Sequence, residues 1–397
     1  MKIFYQAMKI YFLTVMALMM SSSSLATTMP SEALANSANK AALFEPYRCE
    51  GNGIISVNKG VISLHTLKYF GTSITIDLYG EETNHGKESL CKALNMIQKY
   101  HYLASNYSTY PHVTNIKSIN NAPNTTQHIA PELTAILASS IEWNSLSNGY
   151  FNIALSPVID IWRAYRNDCN IRGICKLPTA TELAAASRYT HIADITLDVE
   201  NNTISMKPGM SIDLGGIAKG WMAEKVYDQL KSDGMTSFMI NAGGNIRHFG
   251  RHPEGREFVT AIEDPECKKY NYQLDKCQSQ AGLYHDGLYH EIVKGEDLTI
   301  VSSGNYLHYF TFDGKDYHHI IDPKTLFPKE EGISVSTVLD SQHIFADVIS
   351  TTLFLMPINE ALKFVNNNEY IKAVWYLDSS GNKVYSNNFH EVSVGNK

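Results

Sequence analysis

The glycine pair Gly215-Gly216 stands between a short apolar segment and a run of helical apolar spacing. The segment before it, Met210 to Leu214 (MSIDL), alternates apolar and polar residues around Asp213, which predicts the end of a β-strand. From Ile217 the apolar residues recur every three to four positions, which predicts a helix. Glycines let a backbone approach a ligand closely, and the unpaired N–H groups of a first helical turn attract anions. With Lys219 nearby, the stretch allows a phosphate site, although an ordinary strand-to-helix connection explains the same residues.

A second candidate is the pair Asp347 and Thr351, four residues apart in the apolar stretch Ile344 to Met356. On a helix this spacing points both side chains the same way. Carboxylate and hydroxyl oxygens are hard ligands, suited to Mg²⁺ that is shared with substrate phosphates. Asp347 is the only charged residue of the stretch, and a buried carboxylate is costly unless it is paired or binds a metal. The residues alone leave two hypotheses open: a metal site, or a structural aspartate with Thr351 as packing.

The first 26 residues have the pattern of an export signal. Lys2 and Lys9 supply a basic start, Ile10 to Met20 is a short apolar core, and Ser24-Leu25-Ala26 fits a small-residue cleavage site. A membrane anchor is the alternative, but the apolar run is shorter than the roughly 20 residues that span a bilayer. We therefore expect a periplasmic mature protein that begins near Thr27 and has no stable membrane insertion.

The charge balance argues against a nucleic-acid partner. The whole chain has a formal charge of -7, and the predicted signal contains two lysines and no acidic residue, so the mature chain would carry -7 - 2 = -9. This balance still allows a local basic pocket. The glycine pattern of the chain matches neither a P-loop nor a Rossmann fingerprint.

Six cysteines, an even number in a chain expected to be exported, indicate disulfides. The absence of a C-x-x-C pattern makes a metal site the weaker alternative. Two pairs are favoured because their members are close in sequence within polar stretches, and the third follows by elimination: Cys169–Cys175, Cys267–Cys277 and Cys49–Cys91. Each of the two short loops would stabilise the fold by about 2–3 kcal/mol.

Apolar spacing elsewhere predicts strands and helices in irregular alternation, which favours an α+β fold. The predicted strands lie within 64–79, at Ser237–Asn241 and at several places within 255–321. The predicted helices are Lys87–Leu103, Pro131–Leu146, Leu183–Arg188, Ile344–Met356 and Asn359–Val365, and Asp168–Lys176 is predicted to be a loop insertion. Residues 27–63 are interpreted as a polar leader and N-terminal extension, and 64–397 as one large domain or two closely joined lobes.

Four segments, taken in order, resemble the ApbE family, the FAD:protein FMN transferases. They are SIDLGGIAKGWMAEKV at 211–226, FMINAGGNIRHFG at 238–250, HHIIDPKTLFP at 318–328 and FADVISTTLFLM at 345–356. The resemblance covers roughly residues 64 to 370. It implies an ApbE-like α+β fold of two closely joined lobes, with a cleft for FAD between them.

The resemblance implies a Mg²⁺-dependent exchange. A threonine, sometimes a serine, of a partner flavoprotein attacks the flavin-side phosphorus of FAD. FMN stays on that residue through a phosphoester bond, and AMP leaves. The partners of the family are redox-complex subunits or exported reductases. Two alternatives stay open: an FAD pyrophosphatase with water as the acceptor, and a non-catalytic FAD-binding protein.

The resemblance also assigns roles to residues of this chain. The implied metal ligands are Asp347, Thr351 and the backbone carbonyl of Gly216. The implied FAD contacts are Phe70, Tyr110, Tyr150, Phe151, Asn152, Asp213, Lys219, His319 and Ile320. His319 and Asp347 are the implied catalytic residues. The neutral imidazole of His319 can accept the proton of the attacking hydroxyl. Each residue also has a simpler alternative role. The aromatic residues could pack in the core, Asp213 could form a turn or cap, Lys219 could be solvated, and His319 could bind FAD without accepting a proton.

The chain departs from the family pattern at four positions. Leu326 stands where the family usually has glycine, and Asn152, Asn245 and Asn305 stand where aspartate is more usual. The proposed metal pair is unchanged. FAD binding is therefore expected, whereas turnover rate and choice of acceptor are open.

Overall fold

The computed structural model describes residues 47–49, 53–270, 288–378 and 382–394. The strands are β1 (Tyr47–Arg48), β2 (Ile54–Asn58), β3 (Val61–Thr66), β4 (Ile74–Tyr79), β5 (Gln127–His128), β6 (Ile195–Asp198), β7 (Thr203–Met206), β8 (Phe238–Ala242), β9 (Asn245–Phe249), β10 (Phe258–Glu263), β11 (Tyr289–Gly295), β12 (Asp297–Gly304), β13 (Phe310–Phe312), β14 (Lys315–Tyr317), β15 (Ser334–Leu339), β16 (Ile371–Tyr376) and β17 (Lys383–Tyr385). The helices are α1 (Thr83–Ala104), α2 (Ile116–Asn121), α3 (Pro131–Leu146), α4 (Ser156–Arg172), α5 (Ala180–Ser187), α6 (Ala218–Ser232), α7 (Pro265–Lys269), α8 (Ala346–Leu355) and α9 (Ile358–Asn366).

A large antiparallel sheet organises these elements. Its strand order is β1-β2-β3-β4-β8-β9-β12-β15-β16-β17, and each neighbouring pair runs antiparallel. Smaller sheets, β5-β7-β6, β10-β11 and β13-β14, lie beside it. Helices are inserted between antiparallel strands rather than forming βαβ units, which confirms the predicted α+β class.

Helices α1, α6 and α8 bury their apolar sides against the large sheet. α1 packs on β2 and β3, α6 on β8 and β9, and α8 on β12 and β15. The alternation along β4 follows from this packing: Ile74, Ile76 and Leu78 are fully buried, and the residues between them are half-buried. Each such side chain contributes about 1.5–3 kcal/mol through its burial. α6 also contacts α8, so that the two helices that carry the candidate chemistry pack together on the sheet.

The fold extends N-terminal to the predicted boundary at residue 64. Strand β2 pairs with β3 along its whole length, and β1 pairs with β2 in turn. Ile55 of β2 is buried in the same core as the helices. Five residues of alternating character are too short a signal to separate a strand from a polar extension by sequence alone. The predicted export signal, residues 1–26, lies outside the described residues.

All five predicted helices are present, and one predicted loop is partly helical. α3 spans the predicted Pro131–Leu146, because proline at its first position and the turn at Gly149 mark both ends. The predicted loop at Asp168–Lys176 is partly wrong, since α4 continues to Arg172 and ends at Gly173 in the left-handed region. Its polar last turn faces solvent and therefore resembled a loop in sequence.

The predicted strand at Met210–Leu214 is also wrong. Met210, Ile212 and Leu214 are buried as the alternation indicated, but the segment makes no ladder. Its backbone bonds go elsewhere: Asn120 bonds both the N–H and the carbonyl of Ile212 at 2.8 Å, and the Asp213 N–H donates to the carbonyl of Ile153 at 2.9 Å. The alternation therefore reflected burial beneath neighbouring segments rather than membership of a sheet.

Two of the predicted disulfides are confirmed. Cys49–Cys91 joins the N-terminal segment to α1, and Cys169–Cys175 closes the C-terminal end of α4. The third predicted pair cannot be followed, because Cys277 lies outside the described residues; Cys267 is buried in α7. Within the part of the chain that the structure covers, no helix has both the length and the apolar character to cross a membrane.

Candidate active site

The carboxylate of Asp347 lies at the junction of α6 and α8. It is 4% exposed, and each of its oxygens accepts a hydrogen bond. Gly220 in the first turn of α6 donates its N–H to Oδ2 at 2.6 Å, and the side-chain amide of Asn245 on β9 donates to Oδ1. Lys219 Nζ lies 3.7 Å from Oδ2. Two donors and a cation thus lie against this buried carboxylate, which offsets the cost of its burial.

Close backbone contacts bring Gly216 and Thr351 together beside Asp347. A Cβ at Gly216 would lie 3.7 Å from Thr351 Oγ1 and 3.1 Å from the Phe151 ring. A Cβ at Gly220 would lie 3.2 Å from the Asp347 side chain. Thr351 is one helical turn after Asp347 on α8, as the sequence spacing predicted. The three implied metal ligands therefore come from two elements that meet at these glycines.

This oxygen set fits Mg²⁺. It offers one carboxylate, one hydroxyl and one backbone carbonyl, which are hard ligands, and Mg²⁺ keeps its remaining positions for water and substrate phosphates. The Asp347 oxygens keep lone pairs beyond the two bonds described above, since a carboxylate has about four acceptor sites. No cluster of three or more His, Cys, Asp or Glu side chains with metal-binding geometry occurs among the described residues. A site with a single carboxylate would thus depend on phosphate oxygens to complete the coordination of the metal.

A hydrogen bond to the backbone fixes the tautomer of His319. Its Nδ1 lies 3.1 Å from the carbonyl of Leu307, so Nδ1–H donates and Nε2 is the acceptor nitrogen. Burial, followed by the neighbouring His308, His318 and Arg166, lowers the pKa of His319 well below its usual value. The imidazole is therefore neutral near pH 7, the state that a general base requires.

His318, the adjacent histidine, faces the interior instead. The Ile320 N–H donates to its Nδ1 at 3.2 Å, so Nε2–H donates to the carbonyl of Lys329 at 2.7 Å. Burial lowers the pKa of His318 to about 4. His318 is thus a neutral structural group that holds the segment carrying His319, and Ile320 is a buried residue of the same segment.

Lys219 lies near both Asp347 and His308. Besides its contact with Asp347, it lies close enough to His308 to lower the pKa of that histidine, together with burial and Arg166. The rings of His308 and His319 meet edge to face, with centroids 5.2 Å apart. Lys219 therefore pairs with the proposed metal ligand Asp347 and acts electrostatically on the histidine beside His319.

Asp213 is a half-buried turn aspartate and an ion-pair partner. Its Oδ1 accepts from the Gly215 N–H at 2.7 Å, and Oδ2 accepts from Arg163 at 2.8 Å and from Asn106 at 3.3 Å. Arg163 also bonds Asp160 at 2.6 Å. The carboxylate that precedes the glycine pair thus shapes the turn and fixes α4 against it, and whether it contacts FAD stays a prediction.

Phe70 and Tyr110 belong to an aromatic cluster on the C-terminal part of α1. The Tyr110 hydroxyl lies 3.1 Å from His101 Nε2, and its ring stacks on Tyr102 at 3.8 Å. Phe70, held in the left-handed region at φ 56°, packs edge to face on His101 and donates its N–H to Nδ1 at 3.2 Å. The two implied flavin contacts therefore lie together, on an aromatic platform formed with His101 and Tyr102.

The remaining implied FAD contacts pack or form hydrogen bonds within the fold. Phe151 is buried against Gly216, and Tyr150 is buried beneath Lys324, whose Nζ lies 3.7 Å from the ring centroid. The Asn152 amide donates to the carbonyl of Thr190 at 3.0 Å, and its oxygen caps the turn at Ala154 at 2.9 Å. An asparagine suits this position because it both donates and accepts, whereas an aspartate would lose the first bond.

Sequence reasoning missed several residues of this region. His101, Tyr102, Asn106, Arg163, Arg166 and His308 all contact or border the implied site residues. One signal was available, the spacing of three between Arg163 and Arg166, but the ion pair that joins α4 to Asp213 cannot be read from the sequence. Asn245, seen only as a departure from the family, is the residue that holds Asp347.

Leu326 occupies a backbone conformation that favours glycine. Its φ of 66° is in the left-handed region, where a side chain costs about 1–2 kcal/mol. The turn is held by Leu326 N–H donating to the carbonyl of Asp322 at 2.8 Å and by Trp162 Nε1 donating to the carbonyl of Leu326 at 2.8 Å. The side chain packs with Trp162, which offsets part of the strain. The Asp322-Pro323 turn thus places a leucine in a backbone conformation that favours glycine.

The fold and this region define a class: an α+β protein whose antiparallel sheet supports a site with one buried carboxylate, hard oxygen ligands and several cations. The chain belongs to the ApbE family, whose sequence model matches residues 70–375. This confirms the resemblance of the four motifs.

Individual relatives agree with this membership. The FAD:protein FMN transferase of Vibrio cholerae is 29% identical over 262 residues, which cover 65% of this chain and 71% of that protein. The protein of the same name from Haemophilus influenzae is 28% identical over 297 residues, 74% of this chain and 78% of the relative. The crystal structure of the ApbE protein of Thermotoga maritima has a TM-score of 0.70 at 23% identity, covering 83% of this chain and 98% of the other. The flavin transferase ApbE of Vibrio cholerae gives 0.66 at 23% identity, covering 83% and 99%. These structural similarities establish the fold.

Proposed function

We propose that this chain is an exported, Mg²⁺-dependent FAD:protein FMN transferase. It attaches FMN through a phosphoester bond to a threonine or serine of a partner flavoprotein and releases AMP. Family membership and the name shared by the curated relatives support the reaction class. The observation that carries the proposal is the meeting of separate motifs at one place: Asp347 of α8 is bonded to Gly220 in the first turn of α6, Thr351 lies beside Gly216, and Lys219 pairs with Asp347.

The metal would be held by Asp347, Thr351 and the Gly216 carbonyl. A divalent ion there offsets negative charge on the phosphates of FAD, which grows when a hydroxyl attacks. The side-chain amide of Asn245 and the N–H of Gly220 hold the carboxylate of Asp347 in a fixed orientation. A preorganised ligand needs little rearrangement when the phosphates arrive.

His319 is proposed to accept the proton of the attacking hydroxyl at Nε2. The acceptor oxygen forms a bond to the flavin-side phosphorus, and the bond from that phosphorus to the bridging oxygen breaks. The electron pair of the broken bond leaves with AMP, and the hydroxyl proton passes to the imidazole. The hydrogen bond from Nδ1 to Leu307 fixes the tautomer for this role, and the lowered pKa of His319 keeps the ring neutral before attack.

Phe70 and Tyr110 are proposed to contact a ring of FAD, on the platform formed with Tyr102. Stacked aromatic side chains provide a flat apolar surface for a planar ligand. The half-buried cations of the region suit the diphosphate.

Export is proposed from the sequence of residues 1–26, which lie outside the described part of the chain. The disulfides Cys49–Cys91 and Cys169–Cys175 support an oxidising compartment such as the periplasm. Protein recovered from the periplasm should begin near Thr27, and an N-terminal sequence that retains Lys2 and Lys9 would contradict the cleavage.

The test of the proposed function uses the mature protein, FAD, Mg²⁺ and a flavoprotein domain that carries an acceptor threonine. Flavin fluorescence should remain on the acceptor band after denaturing electrophoresis. Replacing the acceptor threonine by valine is the matched control, and it should abolish the band. No fluorescence with several acceptor domains would refute the transferase, and free FMN with AMP formed at the same rate without any acceptor would assign a pyrophosphatase.

A further inference from the structure

Arg166 is held against the loop that positions His319. It lies on α4, and its Nη1 donates to the carbonyl of His308 at 3.2 Å. One turn later, the Asn170 amide donates to the carbonyl of Tyr309 at 3.0 Å. The carbonyl of Leu307, in the same loop, accepts from His319. One face of α4 therefore fixes this loop, and it brings the guanidinium of Arg166 to the histidines.

Among the described residues Arg166 has no carboxylate partner, in contrast to Arg163 and Arg247. Arg163 is paired with Asp160 and Asp213, and Arg247 is paired with Glu224 and Asp297. Arg166 is only half-exposed, yet in the covered part of the chain it has no carboxylate within ion-pair distance. Burial and the like charge of Arg163 lower the pKa of Arg166. Withdrawing a charge from water without a partner is costly, so this arrangement favours an anion supplied from outside.

Two cations, Arg166 and Lys219, lie near His308. Besides burial, both lower the pKa of His308, and Arg166 contributes to the lowered pKa of His319. Lys219 has Asp347 as its ion-pair partner at 3.7 Å, whereas Arg166 has no carboxylate partner among the described residues. Arg166 is thus the cation between α4 and α6 that an external anion can pair with.

We propose that Arg166 binds the diphosphate of FAD. The assignment rests on the proposed function, because FAD is the anionic substrate of that reaction. A guanidinium presents parallel N–H donors that match two phosphate oxygens, and Arg166 keeps such donors beyond its one bond to His308. Arg166 would hold the phosphates near His319 while Asp347 and Thr351 hold the metal, so that the reacting phosphorus lies between the two groups.

The experiment compares FAD and riboflavin binding by the mature wild type, Arg166→Met and Arg172→Met, without divalent metal and in excess chelator. Arg172 is the matched control because it lies on the same helix, its removal changes the charge equally, and its side chain is 70% exposed and pairs with Asp168. Riboflavin carries no phosphate, so it reports the aromatic part of the site alone. Kd is measured by quenching of flavin fluorescence, and circular dichroism checks that each variant is folded.

Arg166→Met should weaken FAD by about 10- to 100-fold, as expected for the loss of a charge-assisted hydrogen bond, and leave riboflavin unchanged. Arg172→Met should change neither. The FAD affinity of Arg166→Met should also depend less on salt concentration. If Arg166→Met does not fold, Arg166→Lys makes the same comparison, with a smaller loss for FAD because the charge remains and the planar donor pair does not.

Equal FAD affinity in the wild type and Arg166→Met would overturn this assignment and leave the transferase proposal intact. Equal loss of FAD and riboflavin would also overturn it, because that result indicates a structural role for Arg166. A wild type that binds neither flavin would overturn both the assignment and the proposed function.

Discussion

Replacing Asp347 by asparagine separates a metal ligand from a structural aspartate. The wild-type carboxylate accepts from the Gly220 N–H and from the Asn245 amide. In Asp347→Asn one of these donors would face an NH₂ group, unless the Asn245 amide turns over and presents its oxygen. After that turn both bonds persist between neutral groups, and each is weaker by about 1 kcal/mol than a bond to a charged acceptor. The folded state should therefore lose about 2 kcal/mol, and Tm should fall by a few degrees.

The effect on transfer should be much larger than the effect on stability. Asp347 is the only anionic group of the proposed metal set, whereas Thr351 and the Gly216 carbonyl are neutral. Without it, Mg²⁺ should bind more weakly, and transfer at saturating FAD should slow by roughly 100-fold or more, about 3 kcal/mol. Thr351→Val should cost less, since water can replace a neutral ligand. FAD binding should persist in both variants, because aromatic, backbone and cationic contacts are unchanged.

The assay measures Tm and the Mg²⁺ dependence of transfer on the same sample, corrected for the folded fraction. Thr352→Val is the matched control for Thr351→Val: this neighbouring hydroxyl is fully buried, and it has no hydrogen-bond partner within the described part of the chain. Its replacement should leave transfer unchanged and keep or raise Tm. If Asp347→Asn lowers Tm while the folded protein keeps the wild-type Mg²⁺ dependence and rate, Asp347 is structural and the metal assignment is refuted.

Three further outcomes follow from the same contacts. His319→Gln should reduce kcat by about 10²–10⁴-fold and change the Kd for FAD little, whereas the reverse pattern would make His319 a binding residue only. The pKa of His318 falls from its ordinary value of 6.5 to about 4 on folding, so its contribution to stability is complete above pH 6.5 and is lost as pH decreases toward 4. Urea unfolding at pH 7 and pH 5 should show a loss of about 2 kcal/mol from this group, and an unaltered pH dependence in His318→Gln would contradict the assignment. The double variant Cys49→Ser with Cys91→Ser should be less stable by about 3–4 kcal/mol, since the crosslink spans 42 residues, and an unchanged Tm would contradict this.

The sequence predicted the features that depend on interactions between residues close together along the chain. The bounds of α3 follow from Pro131, the apolar spacing and the turn at Gly149. The same-side placement of Asp347 and Thr351 follows from a spacing of four on a helix. The Cys169–Cys175 bridge follows from proximity along the chain.

Tertiary contacts decided the features that the sequence did not reveal. Met210–Leu214 alternates like a strand, but Asn120, about 90 residues earlier, takes its backbone bonds. Asn245 is 102 residues from Asp347, so its role as a donor depends on β9 lying beside α8. Arg166 is an ordinary helical arginine in sequence, and its lack of a carboxylate partner within the described part of the chain is seen only when α4 is placed against the His308 loop. Spacing rules cannot report such pairings.

The structure explains two of the departures from the family pattern, Asn152 and Asn245. Asn152 donates and accepts at once, which an aspartate would not do. Asn245 places a donor beside Asp347, where a second carboxylate would repel the first. Both amides are therefore compatible with a working site, and neither argues for a non-catalytic protein.

The most direct test of the central claim is the fate of the FMN half of FAD. The mature protein is incubated with FAD and Mg²⁺, with and without an acceptor flavoprotein, and AMP, free FMN and protein-bound FMN are quantified by chromatography over time. We expect AMP to form in step with FMN bound to the acceptor threonine, one for one, with little free FMN and little AMP when the acceptor is absent. Equal AMP production with and without the acceptor, with all FMN free in solution, would contradict the claim that this protein transfers FMN to another protein.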